Sequence, residues 1–340
     1  MESITRLGWS VIVGCNLDVR VEHPHVLDAM EAIEGGMGEV WRARHTMLAR
    51  DAAVKLIRGD VLAGATGRQE TMIRQRFERE AKATASLRSP HTVALYDFGR
   101  TADNTFYYVM ELLDGIDLQT MVDQYGPMHA GRVAKLMLGI SASLNEAHKA
   151  GMIHRDIKPK NLVLAKLGLE YDFVKVLDFG LVKSKLLEED SKLMTMEGSA
   201  TGTPAYMPPE IAMGSKKIDG RADLYSLGCV AYFLLTGRLV FDEPSHTAMA
   251  LAHVQKQPVK PSELGFKVPA GLEQIVMNLL AKDPDDRIAS AEDLHRQIRN
   301  LKDLPNWCED AAKDWWRHHL PETAPRIQDE LPTSAIAVSL

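Results

Sequence analysis

Between His154 and Gly180 the chain reads HRDIKPKN at one end and VLDFG at the other. This places Asp156 and Asn161 in one cluster of oxygen-bearing side chains and Asp178 in a second. Carboxylate and amide oxygens are the ligands that a hard divalent cation takes. A carboxylate beside such a cation can position a hydroxyl and accept its proton. Phosphoryl transfer needs both services. Each residue also has a plainer reading, since Asp and Asn are frequent turn formers and an HRD triplet arises by chance. That reading does not account for HRDIKPKN, the apolar run VKVL and DFG standing together in order.

The spacing H-R-D-x-x-x-x-N followed by D-F-G matches the protein-kinase pattern, and the chain resembles a bacterial Hanks-type (eukaryotic-like) serine/threonine protein kinase. The resemblance implies an α+β fold of two lobes: a small antiparallel-sheet N-lobe with one helix, and a larger, mainly helical C-lobe. It implies that Asp156 positions the substrate hydroxyl and accepts its proton. Lys158 would neutralise charge on the transferred group, and Asn161 and Asp178 would bind Mg²⁺ (or Mn²⁺). ATP is the expected co-substrate. The lysine after HRDI resembles the serine/threonine class.

The elements ahead of this stretch must bring a nucleotide to it. Ile33-Glu34-Gly35-Gly36-Met37-Gly38 precedes two strand-like runs, VWRARH and AAVKLI. Glycines between strands let backbone N–H groups approach phosphates. The resemblance assigns Gly35, Gly36 and Gly38 to that loop, with Ile33 standing where the family has its first glycine. Lys55, taken alone, reads as a surface lysine on an edge strand; by resemblance it contacts phosphate. Glu80, in the helical stretch 69–87 whose face is marked by Ile73, Phe77, Ala81 and Leu87, either holds Lys55 or pairs with Arg76 or Lys82 on a solvated face. Strands are expected over 91–98 and 105–112. The resemblance makes Met110 the gatekeeper beside adenine, Glu111 to Leu113 the hinge, Asp117 the ribose contact, and Val40, Ala53 and Val163 the adenine sandwich.

After the helix expected over 129–151 and the HRD stretch, 178–210 resembles an activation segment. Thr195, Ser199 and Thr201 are candidate phosphosites that would pair with Arg155, and Thr203 in GTPAYM would position substrate. Residues 222–235 are apolar almost all round and must form a buried helix, with Asp223 anchoring the catalytic loop. PPE stands where the family has A-P-E, and Glu210 is expected to meet Arg287. The resemblance covers 26–301, split as N-lobe 26–112 and C-lobe 113–301. Residues 1–25 form a poorly matched extension. Residues 302–340 form a tail in which Trp307, Ala311 and Trp315 mark a short amphipathic helix. His318 and His319 lack the further ligands of a metal site.

With 25% charged residues and a net charge of −6, nothing general draws the chain to nucleic acid. Cys15, Cys229 and Cys308 are too scattered for a disulfide framework or a zinc site, which suits a reducing cytoplasm. GWSVIVGC has only a short apolar core after Arg6, so export is not expected, and no run is long enough to span a bilayer. Proteins bearing Ser/Thr are the expected substrates, with self-association for trans-autophosphorylation. The alternative is a pseudokinase, a nucleotide-responsive scaffold, for which the Ile33 change is the one argument. A small-molecule phosphotransferase is disfavoured by GTPAYMPPE.

Overall fold

The structure, a computed structural model, describes residues 9–11, 38–45, 51–57, 67–100, 106–179 and 204–320. Its first layer is a five-stranded antiparallel sheet of β1 (Trp9–Val11), β2 (Gly38–His45), β3 (Asp51–Ile57), β4 (Leu95–Arg100) and β5 (Phe106–Glu111), ordered β1-β2-β3-β5-β4. Alternation along β3 divides its side chains between two faces. Ala52 and Val54 pack with Ala43, Tyr107 and Val109, whereas Ala53, Lys55 and Ile57 face the other way. Against that second face lies α1 (Arg68–Ala85), whose Phe77 ring stacks 4.2 Å from Phe106 and 4.6 Å from Tyr108. Phe77 and Ala81 are buried as the helical spacing predicts. Leu87 lies past the helix end and packs on the larger lobe instead.

The strand beside β2 comes from the N-terminal extension: Trp9 pairs with His45 and Val11 with Ala43. Three residues are too few to show a strand period, so the sequence did not reveal it. The strand expected over 91–98 starts later. Thr92 makes only an isolated parallel bridge to Val176, and regular pairing begins at Leu95.

The second lobe opens with β6 (Gly115–Asp117), α2 (Leu118–Tyr125) and α3 (Ala130–Lys149). Val133, Met137, Ile140 and Leu144 are fully buried on α3, and Gly151, at φ 75°, supplies the left-handed turn that leaves the helix. β7 (Leu162–Leu167) and β8 (Glu170–Val176) join β6 in a three-stranded sheet. Then come the single turn α4 (Pro209–Ala212), the buried α5 (Arg221–Thr236), α6 (His246–Gln255), α7 (Ala270–Leu279), α8 (Ala291–Arg299) and α9 (Glu309–His319). Ser245 and Ser290 cap α6 and α8 by accepting from the amides of Ala248 and Asp293. α5 ends at Gly237, φ 67°. The expected two-lobed α+β architecture is therefore present. Among the described residues no helix is long and apolar enough to cross a membrane.

Glu210 of α4 and Arg287 form the expected pair, a bidentate one with both N···O distances 2.8 Å. Arg287 also donates to the carbonyls of Ala281, Arg221 and Lys282, so its whole fork is satisfied inside this lobe.

Beneath this pair, His253 of α6 is fully buried, with Nδ1 2.9 Å from the Tyr225 hydroxyl and its ring edge-on to Phe241. Lys282 Nζ donates to its carbonyl at 2.8 Å. Burial first, and the Lys282 charge second, push this imidazole down to about 4. A folded-state pKa below that of the unfolded chain means the unfolded state takes the proton first as pH falls. Stability is then lost from about pH 6.5 downward. We expect His253 alone to cost about 2 kcal/mol between pH 7 and pH 5. Denaturant titrations at the two pH values should show a decrement that is smaller by about that amount in His253→Asn than in the wild type.

Candidate active site

The loop that carries Asp156 is shaped by one buried carboxylate. Asp223, 1% exposed in the first turn of α5, accepts from the His154 amide through Oδ2 and from the Arg155 amide through Oδ1, both at 2.8 Å. His148 Nε2, from the end of α3, lies 2.8 Å from the same Oδ2. Two successive amides can converge on one carboxylate only if the chain bends sharply, and Arg155 adopts φ 62°. A non-glycine residue there carries strain of about 1–3 kcal/mol, which the surrounding bonds must hold. His154 fixes the loop from the other side. Its Nδ1 accepts from the Asp156 amide at 3.2 Å, so Nε2 bears the proton and donates to the Leu177 carbonyl at 2.7 Å. Its buried ring lies 4.7 Å from Phe179 of the DFG triplet.

This anchoring gathers three of the motif residues. Asp156 Oδ2 is 3.0 Å from Asn161 Nδ2 and 3.2 Å from Lys158 Nζ. Asn161 Nδ2 also donates to the Asp156 carbonyl at 2.8 Å. With the amide nitrogen so used, Oδ1 is the atom of Asn161 suited to a cation. The Asn161 carbonyl accepts from Leu177 N at 2.9 Å, which sets the DFG strand beside the loop. Asp178 follows at φ 55°, and its Oδ2 lies 2.5 Å from Lys55 Nζ, which reaches it from β3 and is 7% exposed. Lys55 is thus a buried cleft lysine and not an edge-strand surface residue. The partner seen at Lys55 is Asp178. Glu80 stands half-buried on α1, where its charge, after burial, helps raise the Tyr108 phenol.

Ala53 and Met110 oppose each other across β3 and β5 and pack with Val93, bordered by Val40, Leu112 and Leu177. Leu113 is buried, and Val163 lies on β7 opposite Asp117. Gly38 begins β2. Gly35, Gly36, Thr195, Ser199, Thr201 and Thr203 lie outside the described residues.

Asp117, which the resemblance assigns to a ribose contact, also caps α2. Its carboxylate is 1% exposed and accepts from the amides of Gln119 and Thr120 through Oδ1 and from Thr120 Oγ1 through Oδ2. Burial raises its pKa and those three hydrogen bonds oppose the rise. The sequence D-L-Q-T carried the sign of this role, because Asp before a helix is a favoured N-cap.

Three further polar contacts shape the site without belonging to any motif. Glu111 turns its side chain away from the cleft, and its Oε1 accepts from Lys175 Nζ at 2.6 Å and from Ala94 N at 2.7 Å. Glu146 of α3 receives the amides of Arg88 and Ser89, tying the segment after α1 to the larger lobe. Thr92 and Ser143 share a buried hydroxyl bond of 2.7 Å. Each pairs residues far apart in the chain, so no local pattern announces it. Among the described residues no cluster of three His, Cys, Asp or Glu side chains is set to hold a metal.

Residues 31–298 match the protein kinase domain family. Over 268 residues the chain is 37% identical to the serine/threonine-protein kinase pkn3 of Myxococcus xanthus, covering 78% of this chain and 48% of that protein. Over 281 residues it is 37% identical to the serine/threonine-protein kinase PknB of Mycolicibacterium smegmatis, covering 81% of this chain and 43% of the relative. The chain therefore spans about half or less of the length of the curated relatives it matches. The fold is similar to that of Rad53 1–466, solved in complex with AMP-PNP, with a TM-score of 0.65 at 23% identity over 86% of this chain and 65% of that one. The chain belongs to the protein kinase family, whose members use ATP and a divalent metal to phosphorylate proteins.

Proposed function

We propose that this chain is a serine/threonine protein kinase that transfers the γ-phosphoryl group of ATP to Ser or Thr hydroxyls of proteins, with 26–301 as its kinase domain. The observation that carries the reading is the convergence of Lys158 and Asn161 on the Asp156 carboxylate, on a loop locked by Asp223. A carboxylate held this way orients a hydroxyl and takes its proton. Lys158, 3.2 Å away, offsets negative charge on the transferred group. Asp178 and Asn161 supply hard oxygens for Mg²⁺ (or Mn²⁺). So small a protein set fits Mg²⁺, which is commonly held by one or two side chains together with substrate phosphates. When bound, the metal neutralises phosphate charge. Lys55 reaches the same place and is the candidate phosphate contact, with Glu80 behind it. Val40, Ala53 and Met110 form an apolar wall suited to adenine, with the backbone of Glu111–Leu113 beside it. Gly35, Gly36 and Gly38 would cover the phosphates and Thr203 would position the acceptor. Phosphate on Thr195, Ser199 or Thr201, added within a transient pair of copies, would be drawn to Arg155.

Incubating the purified chain with Mg²⁺ and ATP, followed by phosphosite mass spectrometry, tests this directly. We expect phosphoserine or phosphothreonine on the wild type and a loss of about 10²–10⁴ in rate for Asp156→Asn. ATP binding without transfer, even to generic protein substrates, would convert the reading to a pseudokinase.

Asp223 should behave differently from a residue that touches substrate. Asp223→Asn puts an amide nitrogen where an acceptor is needed, so one loop amide loses its partner. A loop displaced by about 1 Å lowers turnover roughly 10²-fold. Steady-state kinetics should show that fall in kcat with the KM for ATP within about twofold of wild type, as expected when an interaction made only in the transition state is lost.

A further inference from the structure

The tail carries a contact that the shared domain does not supply. Asp172 sits within β8 at φ 58°, a left-handed backbone that costs a non-glycine residue about 1–3 kcal/mol. Its carboxylate is saturated by four donors. Arg132 of α3 gives Nε at 2.9 Å and Nη2 at 2.7 Å. The indole N–H groups of Trp307 and Trp316 complete it, each at 2.8 Å. Arg132 and Asp172 are both 2% exposed. A buried ion pair is tolerated when its remaining hydrogen-bonding capacity is met, and here half of the carboxylate's donors come from residues beyond 298, where the family match ends. The Arg132 guanidinium also lies over the rings of Trp315, at 4.0 Å, and Trp307, at 5.1 Å.

The path to this socket is cleared by Gly131. A Cβ there would stand 2.2 Å from the Pro305 carbonyl oxygen, so the tail crosses the first turn of α3 in contact with its backbone. From the socket, α9 runs to α2. The Tyr125 hydroxyl donates to the His319 carbonyl at 3.1 Å, and its ring meets Trp315 and His319 edge-on at 5.1 and 5.2 Å. α2 has only eight residues, too few to be stable without tertiary support. It is held by Asp117 at its start and by the tail at its end. Its start lies a few residues beyond Glu111–Leu113.

We propose that residues 305–320 are a strap seated in the Arg132–Asp172 socket, which positions α2 and through it the nucleotide end of the cleft. Trp307, Trp315, Trp316 and Tyr125 are then positioning residues. The inference rests on the reading of Glu111–Leu113 as the nucleotide hinge.

The test uses the full chain. Tyr125→Leu and Trp315→Leu each break the contact of the strap with α2. The pair Trp307→Phe with Trp316→Phe removes both indole donors and keeps the rings. The readouts are Mg-ATP affinity by calorimetry, amide hydrogen exchange over residues 118–125, and the division of any loss between KM and kcat. We expect faster exchange in α2 and ATP affinity weakened about three- to tenfold, where tenfold corresponds to about 1.4 kcal/mol. The loss should fall on KM, and Tyr125→Leu with Trp315→Leu together should cost less than the sum of the two single changes, because the ring contact between them is shared. Folded variants with unchanged ATP affinity and unchanged exchange in α2 would overturn the strap while leaving the kinase reading intact. A wild type that binds no ATP would overturn both. Should the double phenylalanine variant fail to fold, Tyr125→Leu, which lies outside the socket, decides the matter.

Discussion

A single buried carboxylate decides where the chemistry can happen. Asp223 sits in a helix that is apolar on nearly every side, so its charge has no route to water and must be satisfied by the protein. The amides of His154 and Arg155 and the imidazole of His148 do this, helped by the positive end of α5 in whose first turn it lies. The demand runs outward. Satisfying both amides forces Arg155 into left-handed backbone, the bend directs Asp156 to Lys158 and Asn161, and the Asn161 backbone sets the strand that ends in Asp178. The constellation is preorganised because an unpaired charge would be the alternative.

The two lobes are joined by polar contacts as much as by apolar packing. Lys55 to Asp178 crosses the cleft itself. Behind it, Glu111 to Lys175 ties the last residue of β5 to β8, and Glu146 takes two backbone amides from the segment after α1. The amides of Val93 and Val176 donate to the carbonyls of Val176 and His91, continuing one lobe's backbone pairing into the other. Hydrogen bonds are directional where apolar contacts are not, so this seam fixes the distance between Lys55 and the Asp156 loop.

Legibility in the sequence followed the range of the interaction. HRDIKPKN and DFG were readable because each motif packs its working groups into a few consecutive residues. The buried α5 and the Glu210–Arg287 pair were readable from an unbroken apolar run and from family spacing. Asp117 shows a second role beside the one that the resemblance implied: Asp ahead of a helix is a favoured N-cap, and its carboxylate caps α2. The tail misled in phase. Trp307, Ala311 and Trp315 were expected on one face, yet Trp307 precedes α9, and Ala312 and Trp316 are the residues that become buried. What draws Trp316 inward is Asp172, 144 positions away, and no helical period encodes a partner at that distance.

Two buried arginine–carboxylate pairs in the larger lobe make an instructive contrast. Arg287 and Glu210 close their account within the lobe, the guanidinium meeting two carboxylate oxygens and three carbonyls. Arg132 and Asp172 do not: the arginine gives two of the four hydrogen bonds the carboxylate accepts, and the indoles of Trp307 and Trp316 give the rest. Without those indoles, a strained residue in β8 would hold a buried charge only half satisfied, an arrangement that folding disfavours. The tail up to α9 thus completes the hydrogen bonding of a buried pair whose two charged members lie within the matched region. The family likeness ends at 298, and the socket's second half is supplied from beyond it.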